Sequence, residues 1–283
     1  MPQPALPFEI PLWPGRDLPS IPEAEVYQVR SPDPDKPNGA VEYVSRPTLK
    51  VFLPSGIDGP VPAVVICPGG AYMRIAIDKE GIETAKWFNR LGLAAMVLKY
   101  RMPRPDICGT EVLPWPLEDG LQAIRMVRRH AAEWRIDVRR VGIAGFSAGG
   151  HLASYVAATG RDDARPDFLL LVYPVTALGE VHGTLTALLG ENPPTDLVEA
   201  YSTNTLVTNR VPPTFAVHAK DDGSVPFQDT LSFQAALNAE GVPCEVCLFA
   251  SGGHAFGLEG MGAKSSWPTD CEAWLRSRGI LSA

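Results

Sequence analysis

From about residue 41 the chain alternates between short apolar runs and longer amphipathic ones. Residues 61–67, 93–98, 140–144, 168–173, 214–218 and 244–249 are nearly continuous in apolar side chains, which predicts buried strands. Residues 79–91, 117–134, 150–158, 226–239 and 264–278 carry helical spacing. In the second of these, Leu121, Ile124, Val127 and Ala131 share a face. Strands apolar on both sides, separated by helices, imply a mostly parallel sheet covered on both faces, an α/β fold. Two shorter runs, 25–30 and 48–53, are expected to form an antiparallel edge pair. The interval 176–213 interrupts the alternation with scattered Pro, Gly, Asn and Thr, and reads as a short cap-like insertion over a site.

The first 40 residues differ from the rest. Ten of the 28 prolines lie within residues 1–37, which excludes regular helix and central strand. Phe8, Ile10, Leu12, Trp13 and Ile21 are too apolar for a solvated tail. The expectation is an arm (1–40) packed on the 41–283 domain or on a second copy of the chain, leaving a homo-oligomer open.

Composition narrows the function. The formal charge of −7 and the lack of a Lys/Arg-rich run argue against nucleic acid. No apolar run is long enough to span a membrane, and residues 1–7 lack the features of a signal peptide, so the expected location is cytoplasmic. Five scattered cysteines read as free thiols. Cys244 and Cys247 have C-x-x-C spacing, but residues three apart on a strand face opposite ways, so neither a metal nor a disulfide is expected there.

The chemistry centres on Gly145-Phe146-Ser147-Ala148-Gly149, a G-x-S-x-G pattern between a predicted strand and a predicted helix. That context predicts a sharp turn holding the Ser147 hydroxyl above the sheet as a nucleophile. A serine needs a base and a group to orient it. Of five histidines, His254 stands in a Gly-rich loop after the last predicted strand. His151 reads as a buried structural histidine, His130 as a solvated one, and His218 lies inside a strand. The acid is expected after the strand ending near His218; Asp222 is preferred, with Asp221 bonding backbone N–H groups in the turn. The order Ser147, Asp222, His254 is one of the known triad orders. Pro68-Gly69-Gly70-Ala71 ends another strand, and its N–H groups near Gly70 and Ala71, with that of Ala148, are the expected oxyanion donors. Tyr72, Met73, Trp115 and His182 are candidate substrate contacts. No metal or cofactor is required by this chemistry.

Together with Asp78-Lys79-Glu80-Gly81, Leu98-Lys99-Tyr100-Arg101, Tyr173-Pro174-Val175 and Gly252-Gly253-His254-Ala255-Phe256-Gly257, these parts resemble the serine esterases of the α/β-hydrolase superfamily. The likeness is greatest to bacterial acetylxylan/feruloyl-type carbohydrate esterases. It implies an α/β-hydrolase fold with a central sheet of about eight strands. It also implies hydrolysis of a small-molecule ester or acetylated oligosaccharide through an acyl-enzyme. Relatives called lipases often have His-Gly-Gly at the oxyanion turn, where this chain has Pro68. An amidase or peptidase of the same fold, such as a formamidase-like enzyme, and a generic short-chain esterase are the alternatives.

Overall fold

The computed structural model describes residues 6–30, 38–108, 113–180, 182–258 and 267–282. Among them run β1 (Phe8–Pro11), β2 (Val26–Val29), β3 (Gly39–Glu42), β4 (Thr48–Phe52) and β5 (Val61–Cys67). A π-helical turn (Ile77–Ile82), α1 (Glu83–Arg90), β6 (Ala94–Lys99), α2 (Pro105–Cys108), α3 (Trp115–Arg129) and α4 (Ala131–Trp134) follow. Next come β7 (Ile136–Phe146), α5 (Ala148–Thr159), β8 (Leu169–Val172), α6 (His182–Leu189) and α7 (Thr195–Tyr201). The last elements are β9 (Thr214–Ala219), α8 (Gln228–Ala239), β10 (Cys244–Phe249) and α9 (Trp267–Ser277).

Eight strands form one sheet in the order β1-β4-β6-β5-β7-β8-β9-β10. The six from β6 to β10 pair in parallel, while β1 and β4 are antiparallel at one edge. This is the expected α/β architecture. Every residue of β5, β8 and β9 is buried, which explains their uninterrupted apolar sequence. The chain builds outward from β5 to β6 and then returns to place β7 on the other side of β5. A crevice opens at such a reversal, beyond the strands' C-terminal ends.

The edge differs from the expectation. Residues 25–30 do not pair with 48–53. Instead β2 pairs with β3 in a separate two-stranded sheet, and β4 lies between β1 and β6. All four residues of β2 are exposed, so neither face of this strand is buried against the main sheet. The arm supplies β1 at the rim, where Pro11 is tolerated because an edge strand leaves one side of its backbone unpaired. Beyond β1, Leu12 is fully buried, and the Trp13 indole N–H donates to Asp119 Oδ1 at 2.7 Å. Asp119 in turn holds the Arg101 side chain at 2.7 Å and its backbone N–H at 2.8 Å; both residues are buried.

The 176–213 segment contains α6, α7 and two 3-10 turns. It is tied down at Thr176, whose N–H donates to Asp229 Oδ2 (2.8 Å) and whose hydroxyl donates to the Asp229 carbonyl (2.7 Å). No helix among the described residues is long and apolar enough to cross a membrane.

Candidate active site

Ser147 sits between β7 and α5 with φ 53° and ψ −122°, a backbone state unfavourable for any residue with a Cβ. The neighbouring glycines make the turn feasible. A Cβ on Gly145 would lie 2.1 Å from the Gly149 carbonyl oxygen, and one on Gly149 would lie 2.1 Å from that of Cys67. Strand, turn and helix therefore pack too closely for any larger residue.

The structure brings Ser147, His254 and Asp222 into one row. Ser147 Oγ lies 2.9 Å from His254 Nε2, and His254 Nδ1 lies 2.7 Å from Asp222 Oδ2. A carboxylate only accepts, so Nδ1 carries the proton and Nε2 is left to accept from the serine hydroxyl. Asp222 is saturated. Oδ1 takes the N–H groups of Ser224 (2.8 Å) and Val225 (2.9 Å), while Oδ2 takes His254 and, at 3.2 Å, His218 Nε2. Burial opposes the ionised form, but the imidazole donors and the Val225 N–H outweigh it and hold its pKa well below the usual carboxylate range. Asp221 accepts the Gly253 N–H at 2.8 Å, anchoring the histidine loop.

Nothing in the sequence marks His218 as a member of this group. Its Nε2 faces both Asp222 and the Val225 carbonyl (3.1 Å), so the proton is on Nε2, and Nδ1 accepts from the Thr230 hydroxyl (2.8 Å). His151 is fully buried, as expected. It donates to the Tyr201 carbonyl (2.7 Å) and accepts from the Tyr72 hydroxyl (2.8 Å), and burial lowers its pKa to about 4.

The turn after β5 adjoins this row. Gly70, Ala71 and Tyr72 all have positive φ, 134°, 55° and 59°. Among the described residues no hydrogen bond occupies the N–H groups of Gly70, Ala71 or Ala148. Tyr100 supports the turn from below by donating to the Pro68 carbonyl at 2.7 Å. Glu80, on the π-helical turn, accepts the Gly69 N–H at 2.6 Å and the Tyr173 hydroxyl at 2.9 Å. Burial pushes its carboxyl pKa up, and those two donors only partly offset the rise. Asp78-Lys79-Glu80-Gly81 and Tyr173-Pro174-Val175 belong to the resemblance, but neither Glu80 nor Tyr173 has a role assigned from it, because nothing in either stretch tells which way the side chain points.

A cavity of about 530 Å³ contains Ser147, His254, Gly70, Ala71 and Glu80 in its wall. Arg30, Arg74 and Lys79 also line it, so a chain of net negative charge presents cations here. Its apolar lining is small: Ala40, Ala71, Ala76, Val225 and Ala255.

Three candidate substrate contacts lie elsewhere. Tyr72 is 1% exposed and points inward to His151. Trp115 is buried beneath the Arg101 guanidinium, 5.5 Å from its ring centre. Met73 is 55% exposed and outside the cavity wall. Tyr72 and Met73 adjoin the turn in sequence, but sequence closeness does not set side-chain direction. His182 begins α6, but its side chain lies outside the described residues; Thr184, two positions on, lines the cavity. Cys244 and Cys247 are free thiols in β10, and no cluster among the described residues has the makings of a metal site.

The BD-FAE family model matches residues 49–168, and the prolyl oligopeptidase family model matches residues 115–277. An acetylxylan esterase of Xylanibacter ruminicola is 34% identical over 73% of this chain and 43% of its own length. Endo-1,4-beta-xylanase B of Butyrivibrio fibrisolvens is 29% identical over 81% of this chain and 38% of its own. The chain thus spans less than half of either curated relative. The crystal structure of an acetyl ester-xyloside bifunctional hydrolase from Caldicellulosiruptor lactoaceticus is 35% identical and covers 97% of both chains, with a TM-score of 0.79. With this sheet order, this serine turn and these matches, the chain belongs to the α/β hydrolases, in the prolyl oligopeptidase family.

Proposed function

We propose that the chain is a serine carboxylic ester hydrolase that removes acetyl groups from acetylated xylo-oligosaccharides or related short-acyl esters. The observation that carries this reading is the Ser147–His254–Asp222 row beside the Gly70–Ala71 turn in one cavity. The activities of the Xylanibacter acetylxylan esterase and the Caldicellulosiruptor acetyl ester-xyloside hydrolase support the substrate class. The small apolar lining and polar rim suit a short acyl group on a hydroxyl-rich alcohol better than a long lipid chain.

His254 Nε2 takes the Ser147 proton as Oγ bonds to the ester carbonyl carbon. Asp222 holds the Nδ1–H tautomer and stabilises the imidazolium that forms. The N–H groups of Ala148 and of Gly70 or Ala71 receive the carbonyl oxygen as it becomes an oxyanion. The intermediate collapses, the alkoxide leaves with the Nε2 proton, and the acyl group stays on Oγ. Water then repeats the sequence, releasing acetate and restoring the hydroxyl.

The test is acetate release from acetylated xylo-oligosaccharides, alongside p-nitrophenyl esters of increasing acyl length. Ser147→Ala is expected to lower kcat by roughly 10⁴–10⁶-fold. Near wild-type turnover by that variant sinks the assignment. Activity confined to the artificial esters removes the sugar substrate and leaves a generic esterase. The match to the prolyl oligopeptidase family gives an amide-cleaving reading its own support. Comparing p-nitrophenyl acetate with the matching anilide separates the two, and the ester is expected to be the faster. Cys67, Cys244, Cys247 and Cys271, the cysteines whose side chains are among the described residues, are free thiols, which fits a reducing, cytoplasmic location.

A further inference from the structure

Glu80 is 3% exposed, yet it lies in the wall of the Ser147 cavity. Two donors reach it from opposite parts of the site. The Gly69 N–H comes from the turn that carries Gly70 and Ala71. The Tyr173 hydroxyl comes from the end of β8, and its oxygen also accepts the Gly257 N–H at 3.1 Å from the His254 loop. The Tyr173 ring packs 4.9 Å from the His254 ring and 4.5 Å from that of Phe256. Gly69 is wedged between the carboxylate and the nucleophile. A Cβ there would lie 2.9 Å from Glu80 Oε2 and 2.9 Å from Ser147 Cβ.

The segment bearing Glu80 is unusual. It is a π-helical turn, a form that appears mostly as single turns and frequently at functional sites. Three consecutive residues on it hold three different parts of the molecule. Asp78 Oδ2 accepts the Tyr27 hydroxyl (2.5 Å) and the Gly39 N–H (2.9 Å), Lys79 donates to the Ala255 carbonyl (2.6 Å), and Glu80 makes the two bonds above. Gly81 lets the turn sit directly on the sheet, since a Cβ would lie 2.8 Å from a Val97 methyl. A buried acid is costly to keep where packing alone is needed. Here it supplies what a neutral side chain cannot: two acceptor oxygens facing two donors.

We propose that Glu80 is a positioning residue that couples the two halves of the site, setting the oxyanion turn through Gly69 and the His254 loop through Tyr173 and Gly257. The proposal rests on the serine-hydrolase reading. It requires a carboxylate rather than an amide, because glutamine would turn an N–H group towards one of the two donors.

The experiment counts competent sites with an irreversible fluorophosphonate, then measures kcat and KM for p-nitrophenyl acetate per titrated site. Wild type, Glu80→Gln, Tyr173→Phe and the double variant are compared. Glu80→Gln is expected to lower kcat by roughly 10–100-fold while KM moves less than about threefold, as misplacement of donors and base demands. Phenylboronate, whose adduct on Ser147 places an oxygen at the oxyanion position, should weaken in proportion to the loss of kcat/KM. Tyr173→Phe should lose less, and the double variant should be little worse than Glu80→Gln, because Tyr173 acts through Glu80. Unchanged kcat per titrated site in Glu80→Gln and Tyr173→Phe, with only yield or Tm reduced, overturns the proposal. If Glu80→Gln does not fold, Tyr173→Phe alone decides by the same criterion. A wild-type protein that neither reacts with the probe nor cleaves the ester overturns the esterase reading, and this proposal with it.

Discussion

Asp222 shows how tightly single residues are committed in this site. Its four hydrogen bonds come from two backbone N–H groups and two imidazoles. An asparagine in its place would turn an amide N–H₂ towards one of those pairs. Asp222→Asn is therefore expected to lower kcat by about 10⁴-fold, as loss of the tautomer-holding acid does in other triads. Steady-state kinetics on a fluorophosphonate-titrated sample checks this, and a loss below about tenfold contradicts the role given to Asp222. The Ser147, Asp222 and His254 positions were legible because each stands beside residues that mark a turn. Glu80, His218 and Tyr173 had no role assigned: Glu80 and Tyr173 stand in stretches that carried the resemblance, but they meet across 93 positions, and nothing local says which way any of the three side chains points.

At the level of elements, local periodicity carried most of the information. Helices and parallel strands were readable because burial on one face or on both leaves a repeat in the chain. The 79–91 helix was readable as helical, but not that its first turn is π rather than α. The N-terminal arm shows the limit most clearly. Its apolar residues indicated packing, yet nothing local distinguished surface contact from an edge strand. Leu12 is fully buried against the domain, so Leu12→Ala should cost about 2–4 kcal/mol in urea unfolding. A change under about 0.5 kcal/mol would mean that the arm detaches without consequence. The Arg101–Asp119 pair beside it is a separate test. Asp119→Ala leaves a buried guanidinium facing only the half-buried Glu118, at an expected cost of about 3–5 kcal/mol. Thermal unfolding at neutral pH would register it as a clear fall in Tm.

His151 makes the stability of the whole molecule depend on pH, against an opposing contribution from the buried Glu80 and Asp119 carboxyls, whose pKa values burial raises. Burial keeps it neutral in the folded state, with a pKa near 4 against about 6.5 in the unfolded chain. Between those values the unfolded chain binds the extra proton. Stability is thus fully present above about pH 6.5 and declines as the pH falls towards 4, by about 3 kcal/mol at the limit. Asp222 adds to the loss only at lower pH, since its carboxylate stabilises the fold above its unfolded pKa and fails as the pH drops through the depressed folded value. Denaturant titrations from pH 7 to 4 should show the slope, and His151→Gln should flatten it. An equally steep profile in that variant assigns the effect to another group.

The sequence by itself determined which stretches are strand and helix, that the sheet is mostly parallel, and which serine, acid and histidine form the candidate site. Those properties follow from repeats and turn signals a few residues long. Tertiary structure alone decided that β2 pairs with β3, that Tyr72 and Trp115 face the core, and that Glu80 joins the two halves of the cavity. Each depends on which distant segment arrives beside which. That is set by the global competition to bury apolar surface while giving every buried polar group a partner, and no local pattern encodes its outcome.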